Sequence, residues 1–289
     1  MPLKSLSKIY LTFVLAVTIG FASPANDLLA AGSKPAFYTG ENLKFRLRWG
    51  IIPAGEAELE VLPVEIVDDT ETYHFVMTVR TNAFIDTFYK YRSRVDAYAD
   101  LGMKHSIKYR KKVEARKKIE DIVVHFDWEK SEARYYSAKR YAGTFPKTTG
   151  DITPISEIRI KEYLIPLLPG SFDPLSIFYY SRVVELDENT LIERPVSDGK
   201  KCVVGTAKVK KREKITLPSG TYDTYLIEPD LKHLEGAFKK SNNAKIQLWV
   251  TADERRIPVK LKSKVIIGSF TGELISATEC KKSNSIQSE

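Results

Sequence analysis

The chain reads as an all-β protein, mainly antiparallel: a single barrel-like or spiral β-domain with one inserted α-helix near residues 174–184. Three observations predict this. Short runs of alternating apolar and polar residues recur along most of the sequence, and a period of two places one set on each face of a strand. Turn residues separate these runs at short spacing, as in sandwiches and barrels. Repeated helical patterns, which an α/β chain would place between its strands, are missing from the sequence.

The first element is the clearest. Leu43, Phe45, Leu47 and Trp49 alternate with Lys44, Arg46 and Arg48, and after a Gly/Pro-containing loop Ala57, Leu59 and Val61 alternate with Glu56, Glu58 and Glu60. Folding the runs back with Trp49 opposite Gly55 pairs Arg48 with Glu56, Arg46 with Glu58 and Lys44 with Glu60. Leu47, Phe45 and Leu43 then meet Ala57, Leu59 and Val61 on the other face. Each such pair contributes about 0.2–1 kcal/mol. Gly55 is expected to leave room for the Trp49 ring.

Tyr73, Phe75, Met77 and Val79 define a third strand. Asp86 to Ala99 reads as a fourth, with room for a bulge. Lys104–Val113 and Lys117–Trp128 form a hairpin turning near Glu114-Ala115-Arg116, and Ala133–Ala138 adds a short strand. Tyr141 to Pro154 is loop-like. Ile155 to Leu168 is apolar and fits helix or strand. Asp173 is a good N-cap, and Pro174 suits the first helical position because its missing N–H is not needed there. That helix should run to about Val184 and bury Leu175, Phe178, Tyr179 and Val183. Strands return at Asn189–Val196, Lys200–Lys211 and Thr221–Pro229, with turns at Ser197-Asp198-Gly199 and Pro218-Ser219-Gly220. Lys232–Asn243 is polar and loop-like. Lys245–Val250, Val259–Val265 and Phe270–Ala277 complete the pattern, and the tail from Lys281 is polar.

The domain is therefore expected over residues 40–279. Before it lie a secretory signal peptide over residues 1–25 and a linker over 26–39; residues 280–289 form a tail. Lys4 and Lys8 precede an uncharged stretch from Ile9 to Ala22, followed by small residues, which is the layout of a signal peptide. The stretch is shorter than the roughly 20 residues of a spanning helix. Cleavage fits after Ala22 or after Ala25, and an uncleaved anchor is the alternative. No later segment is long and apolar enough to span a bilayer as a helix. The expected location is periplasmic. Cys202 and Cys280 are the two cysteines; in an oxidising compartment they form a candidate disulfide, with two unpaired thiols as the alternative. Their spacing excludes a CxxC motif. The net charge of +8 comes from 45 basic and 37 acidic residues interspersed along the chain, the pattern of a solvated surface.

Several stretches carry a resemblance. Gly40-Glu41-Asn42-Leu43 followed by Trp49-Gly50-Ile51-Ile52-Pro53-Ala54-Gly55-Glu56-Ala57 is similar to the opening of a family of exported bacterial proteins, the domain of unknown function numbered 3108. Asp173-Pro174-Leu175-Ser176 with Tyr179-Tyr180, Leu217-Pro218-Ser219-Gly220-Thr221-Tyr222, and Trp249-Val250-Thr251 through Arg256-Ile257-Pro258-Val259 resemble it too. The resemblance implies Gram-negative export and an all-β domain around a helix. It implies no activity and no catalytic residues.

Candidate sites are weighed against structural roles. The sequence has no G-x-S-x-G elbow, and His74, His105, His125 and His233 are scattered. His74 and His125 read as surface residues. Neither a metal nor a cofactor is expected, and the chain reads as non-enzymatic. Glu56, Glu58 and Glu60 read as structural partners of the opposing basic residues. Tyr89, Tyr91, Tyr98, Tyr179 and Tyr180, with Tyr135, Tyr136 and Tyr141, are candidates to line a ligand cavity. Lys108, Arg110 and Lys112, and again Lys208, Lys210 and Arg212, are candidates for a polyanion face, within basic runs that also contain Lys111 and Lys118. Two functions follow. One is binding of an apolar or amphipathic envelope ligand, or support of envelope integrity. The other is a scaffold whose basic faces bind lipopolysaccharide, peptidoglycan or a partner protein. Nucleic acid is not an expected partner.

Overall fold

A computed structural model describes residues 36–141, 158–230, 245–264 and 269–278. The expected signal peptide and tail, and Cys280, lie outside the described residues. The chain forms a 14-stranded antiparallel sheet with two short helices among those residues. Strands β1 (Asn42–Trp49), β2 (Ile52–Val67), β3 (Thr70–Thr81), β4 (Tyr91–Asp100), β5 (Ser106–Ala115), β6 (Lys118–Asp127), β7 (Glu132–Tyr141) and β8 (Ile158–Pro166) form one meander. Strands β9 (Leu191–Ser197), β10 (Cys202–Leu217), β11 (Gly220–Pro229), β12 (Lys245–Thr251), β13 (Pro258–Lys264) and β14 (Ser269–Thr278) form the second. Pairing of β1 with β14 joins the two, leaving β8 and β9 at the ends of the sheet.

The opening hairpin keeps the expected faces with a different register. Arg46 pairs with Glu56, Lys44 with Glu58 and Asn42 with Glu60, while Phe45 meets Ala57 and Leu43 meets Leu59. Trp49 lies opposite Ile52, not Gly55. Gly50 takes φ +58°, so the chain reverses tightly, and an irregularity at Leu47/Arg48 absorbs the remaining length. A shift of two preserves every side-chain face. Trp49 instead stacks on Phe270 of β14, with centroids 6.4 Å apart. Gly55 makes room for β3: a Cβ there would lie 2.0 Å from the Arg80 carbonyl oxygen.

Helix α1 (Ala83–Tyr89) occupies the start of the segment expected to be the fourth strand. Asn82 caps it, its side-chain oxygen accepting the Ile85 N–H at 2.9 Å. The Asp86 carboxylate is held by Thr81 and Arg92, so this segment bonds locally instead of joining the ladder. The ambiguous segment before Pro166 is strand β8.

Helix α2 (Ser176–Tyr180) is shorter than expected. The turn leading into it is capped by Asp173, whose Oδ1 accepts the N–H groups of Leu175 and Ser176 at 2.7 and 2.9 Å. Ser106 of β5 donates to the same carboxylate at 2.6 Å. Tyr179 stacks on Phe75 of β3 at 3.9 Å, so α2 plugs the concave face of the sheet. Phe37, at the end of the expected linker, is buried edge-on against Tyr73, Phe75 and Tyr179.

Just past α2, Arg182 is fully buried and pairs with Glu41 at 2.5 Å. Arg255 pairs with the same carboxylate at 2.5 Å. Arg182 also donates to the carbonyls of Ala36 and Arg255, at 2.6 and 3.1 Å, while Arg256 donates to the Arg182 carbonyl at 3.1 Å. This clasp satisfies charges that burial alone would make very costly.

The sheet curls back on itself. After β8, the chain reaches β9, where Phe172 bridges Val196 in parallel. The Phe172 N–H donates to the Pro195 carbonyl at 3.0 Å, and the Phe172 carbonyl accepts the Ser197 N–H at 2.9 Å. Gly199 in the β9–β10 turn presses on the opposite wall: a Cβ there would approach Val124 and Tyr135 to 2.5 and 2.8 Å. The result is a spiral, barrel-like β-domain.

Candidate functional site

Strand register places a set of charged residues on the concave face near the free edge of the first meander. Val113, Glu120, Lys139 and Arg159 lie opposite one another across β5 to β8. The neighbouring rows carry Lys111, Ile122, Ser137 and Lys161, and then Val124, Tyr135 and Tyr163. Stacking of Tyr135 on Tyr163 at 4.7 Å confirms that these rows share a face.

Lys111 is the surprise. It alternates with buried Tyr109 and Val113 and is itself only 7% exposed. Burial pulls its pKa down to about 8, the charge of Glu120 opposing this and that of Lys200 adding to it. No hydrogen bond or ion pair holds its ammonium among the described residues. Glu120 is the acid of the cluster. Burial pushes its carboxyl up, but hydrogen bonds from Lys118 and Lys139 at 2.5 and 2.9 Å hold it below the usual range. The Lys200 ammonium lies 5.5 Å from the Tyr135 ring centre, brought there by the β9–β10 turn. Burial raises the Tyr163 hydroxyl to about 12, so it stays a neutral donor. Ser137 Oγ is fully buried and has no hydrogen-bond partner among the described residues.

Lys111, Lys118, Lys139, Arg159, Lys161 and Lys200 thus face two acids, Glu120 and Asp198. Exposure grows from Lys111 outward to Arg159 and Lys161 at β8. An excess of cations set among tyrosine rings on a concave surface suits an anionic group attached to an apolar or ring-bearing body.

Among the tyrosines expected to line a cavity, Tyr89 and Tyr91 border this cluster, both buried, with the Arg116 guanidinium 5.7 Å over the Tyr89 ring. Tyr135 and Tyr141 belong to it, Tyr141 lying under Arg159 at 5.6 Å. Tyr179 is in the core. Tyr180 lies against Phe172 and under Arg194, at 5.1 and 4.6 Å. Tyr98 and Tyr136 are on the opposite face, Tyr98 stacked on His74 at 4.4 Å.

The residues expected to form a polyanion face are not gathered. Lys108, Arg110 and Lys112 lie on the outer face of β5, opposite Tyr98, Asp96 and Arg94. Lys208, Lys210 and Arg212 lie on β10 in the other half of the sheet. There Arg212 forks onto Asp223 at 2.6–3.1 Å, and Lys210 reaches Glu228 at 4.0 Å. The acidic row is structural: Glu56 pairs with Arg80 at 2.6 Å and Glu58 with Lys44 at 3.3 Å. Cys202 is a free thiol among the described residues, 3.1 Å from Ser171 Oγ.

His74 is buried, contrary to its reading as a surface residue. Its two ring nitrogens bond Glu65 and Asp96, at 2.9 and 3.0 Å. Burial pushes Asp96 up, but His74 and Arg94 outweigh it and hold the carboxyl at about 2. With both nitrogens engaged by carboxylates, the imidazole has none left to activate a nucleophile. His125 remains half-exposed, 3.5 Å from Asp68. No group of three metal-ligating side chains occurs among the described residues, and none of the described helices is long and apolar enough to cross a membrane.

A curled antiparallel sheet around a helical plug defines a barrel-like β-protein. The chain belongs to the family described as protein of unknown function DUF3108, whose model matches residues 44–275. It is similar to a solved structure from Brucella abortus, a beta-barrel-like protein of the domain of unknown function DUF1849. The two share 11% identity at a TM-score of 0.45, over 83% of this chain and 97% of that one. No curated protein matches the chain.

Proposed function

We propose that this protein is an exported, non-enzymatic binding protein of the periplasm that holds an amphipathic envelope ligand on its concave face. The observation carrying this reading is the inward-facing set of Lys111, Lys118, Lys139 and Lys200 among tyrosines, with the Lys111 side chain almost wholly buried and no ion pair on its ammonium among the described residues, and the Ser137 hydroxyl buried without a partner among them. A sheet needing only stability would fill those positions with apolar side chains. The anionic part of the ligand sits against the lysines, and its apolar part lies along Tyr135, Tyr141 and Tyr163.

Native mass spectrometry of the full chain, recovered from the periplasm of a Gram-negative host, tests this. A retained anionic amphiphile is expected, lost in the Lys111→Met/Lys139→Glu variant. Recovery of bare protein under gentle ionisation, or retention undiminished in the variant, would sink the proposal. The outer basic rows are a weaker alternative, because Lys210 and Arg212 are already matched by Glu228 and Asp223.

A further inference from the structure

We infer that one end of the sheet is a docking surface for an anionic lipid bilayer. Three connections lie side by side there. The Asn82 side chain donates to the Pro53 carbonyl at 2.8 Å, and its N–H donates to the Ala54 carbonyl at 3.1 Å, so the start of α1 sits against the β1–β2 hairpin. The Arg116 N–H donates to the Lys90 carbonyl at 3.0 Å, tying the end of the same connection to the β5–β6 turn.

This end exposes large apolar side chains. Ile51 is 86% exposed at the hairpin tip, with Ile52 beside it, and α1 presents Phe84 and Phe88 at 60% and 54%. The two phenylalanines are one helical turn apart and touch edge to face at 5.5 Å. They form a paired aromatic prong, held in place by the Asn82 cap and the Arg92–Asp86 pair. Scattered apolar residues on a surface need no explanation, but a cluster on adjoining connections does.

Charge selects the occupant. Residues 48–53, 82–92 and 114–117 carry five cations, Arg48, Lys90, Arg92, Arg116 and Lys117, against two acids, Asp86 and Glu114. Both acids are already engaged, by Arg92 and Lys90. Apolar tips rimmed by cations match a bilayer whose head groups are negative: the rings enter the interfacial region while the cations stay among the phosphates. The same end carries the start of β4, the end of β7 and the start of β8, close to the concave lysine cluster. Docking does not depend on that cluster holding a ligand.

Flotation of the purified full chain with vesicles tests the inference. The protein should float with phosphatidylcholine vesicles containing phosphatidylglycerol, and float far less with phosphatidylcholine alone. Raising the salt should weaken this binding steeply. Phe84→Ser/Phe88→Ser and, separately, Lys117→Glu should each weaken binding by about tenfold while leaving thermal unfolding unchanged, because all three side chains are exposed. Failure of the wild-type chain to float with anionic vesicles would overturn the inference, as would flotation of the double variant equal to wild type. Equal binding to neutral vesicles would overturn the role of charge.

Discussion

Lys111 shows how one side chain connects stability to purpose. Its pKa falls to about 8 in the folded protein, against about 10.4 for lysine in an unfolded chain. Between those values the unfolded chain keeps a proton that the folded protein has released. The contribution of Lys111 to stability therefore rises with pH across that window, and below pH 8 its full cost is present. Lys111→Met is expected to raise stability at pH 7 by up to about 3 kcal/mol, with the gain shrinking toward pH 10. Urea titrations of the two proteins over this range read the difference directly; an unchanged or lower stability of the variant at pH 7 would contradict the assignment. The same variant should retain less ligand, a trade of stability for function at a binding position. Lys111 was hard to see in the sequence because it sits inside a basic run. Its signal was positional: Tyr109 and Val113, two residues to either side, are apolar.

At the scale of elements, the cap of α2 carries a prediction. Asp173→Ala would leave the N–H groups of Leu175 and Ser176 and the Ser106 hydroxyl without their acceptor in a fully buried place. A loss of about 2–4 kcal/mol in chemical unfolding is expected, and Asp173→Asn, which keeps one acceptor oxygen, should lose less. That Asp173 would accept nearby N–H groups was legible, because Asp-Pro before an apolar run is a local signal. The helix, however, starts at Ser176 with Leu175 as its N-cap, so Pro174 lies in the turn before it and not at the first helical position. The strand faces were legible too, since alternation is a local property. Register was not: a two-residue shift of β1 against β2 conserves every face, and only the tight turn at Gly50 and the irregularity at Arg48 decide it. Helix α1 was hidden because Phe84, Phe88 and Tyr89 suit a strand equally well by composition. The concave cluster was the least legible part. Lys139, Arg159, Lys161 and Lys200 meet only when three ladders and the β9–β10 turn are in place, and no local pattern announces such a meeting.

For the molecule as a whole, the Glu41 clasp joins the start of the domain, the chain just past α2 and the β12–β13 turn. Glu41→Gln would leave the buried Arg182 guanidinium without its counter-charge and is expected to cost about 3–5 kcal/mol, seen as a lower midpoint in urea at an unchanged slope. Replacing Glu41 and Arg182 together by methionine should recover part of that loss, because the fully buried Arg182 charge is then gone and only the less buried Arg255 loses the Glu41 carboxylate; a double variant as weak as the single one would assign the cost to shape instead. The junction of β1 with β14 has its own consequence. Synthesis delivers the first strand at the outset and its partner last, so β1 keeps one bare edge until the final ladder of the described sheet arrives. Closing a contact across nearly the full length of the polypeptide is slow. During that interval the growing chain exposes hydrogen-bonding groups able to pair with a neighbour, so the bare side of β1 is where mispairing between nascent copies would start.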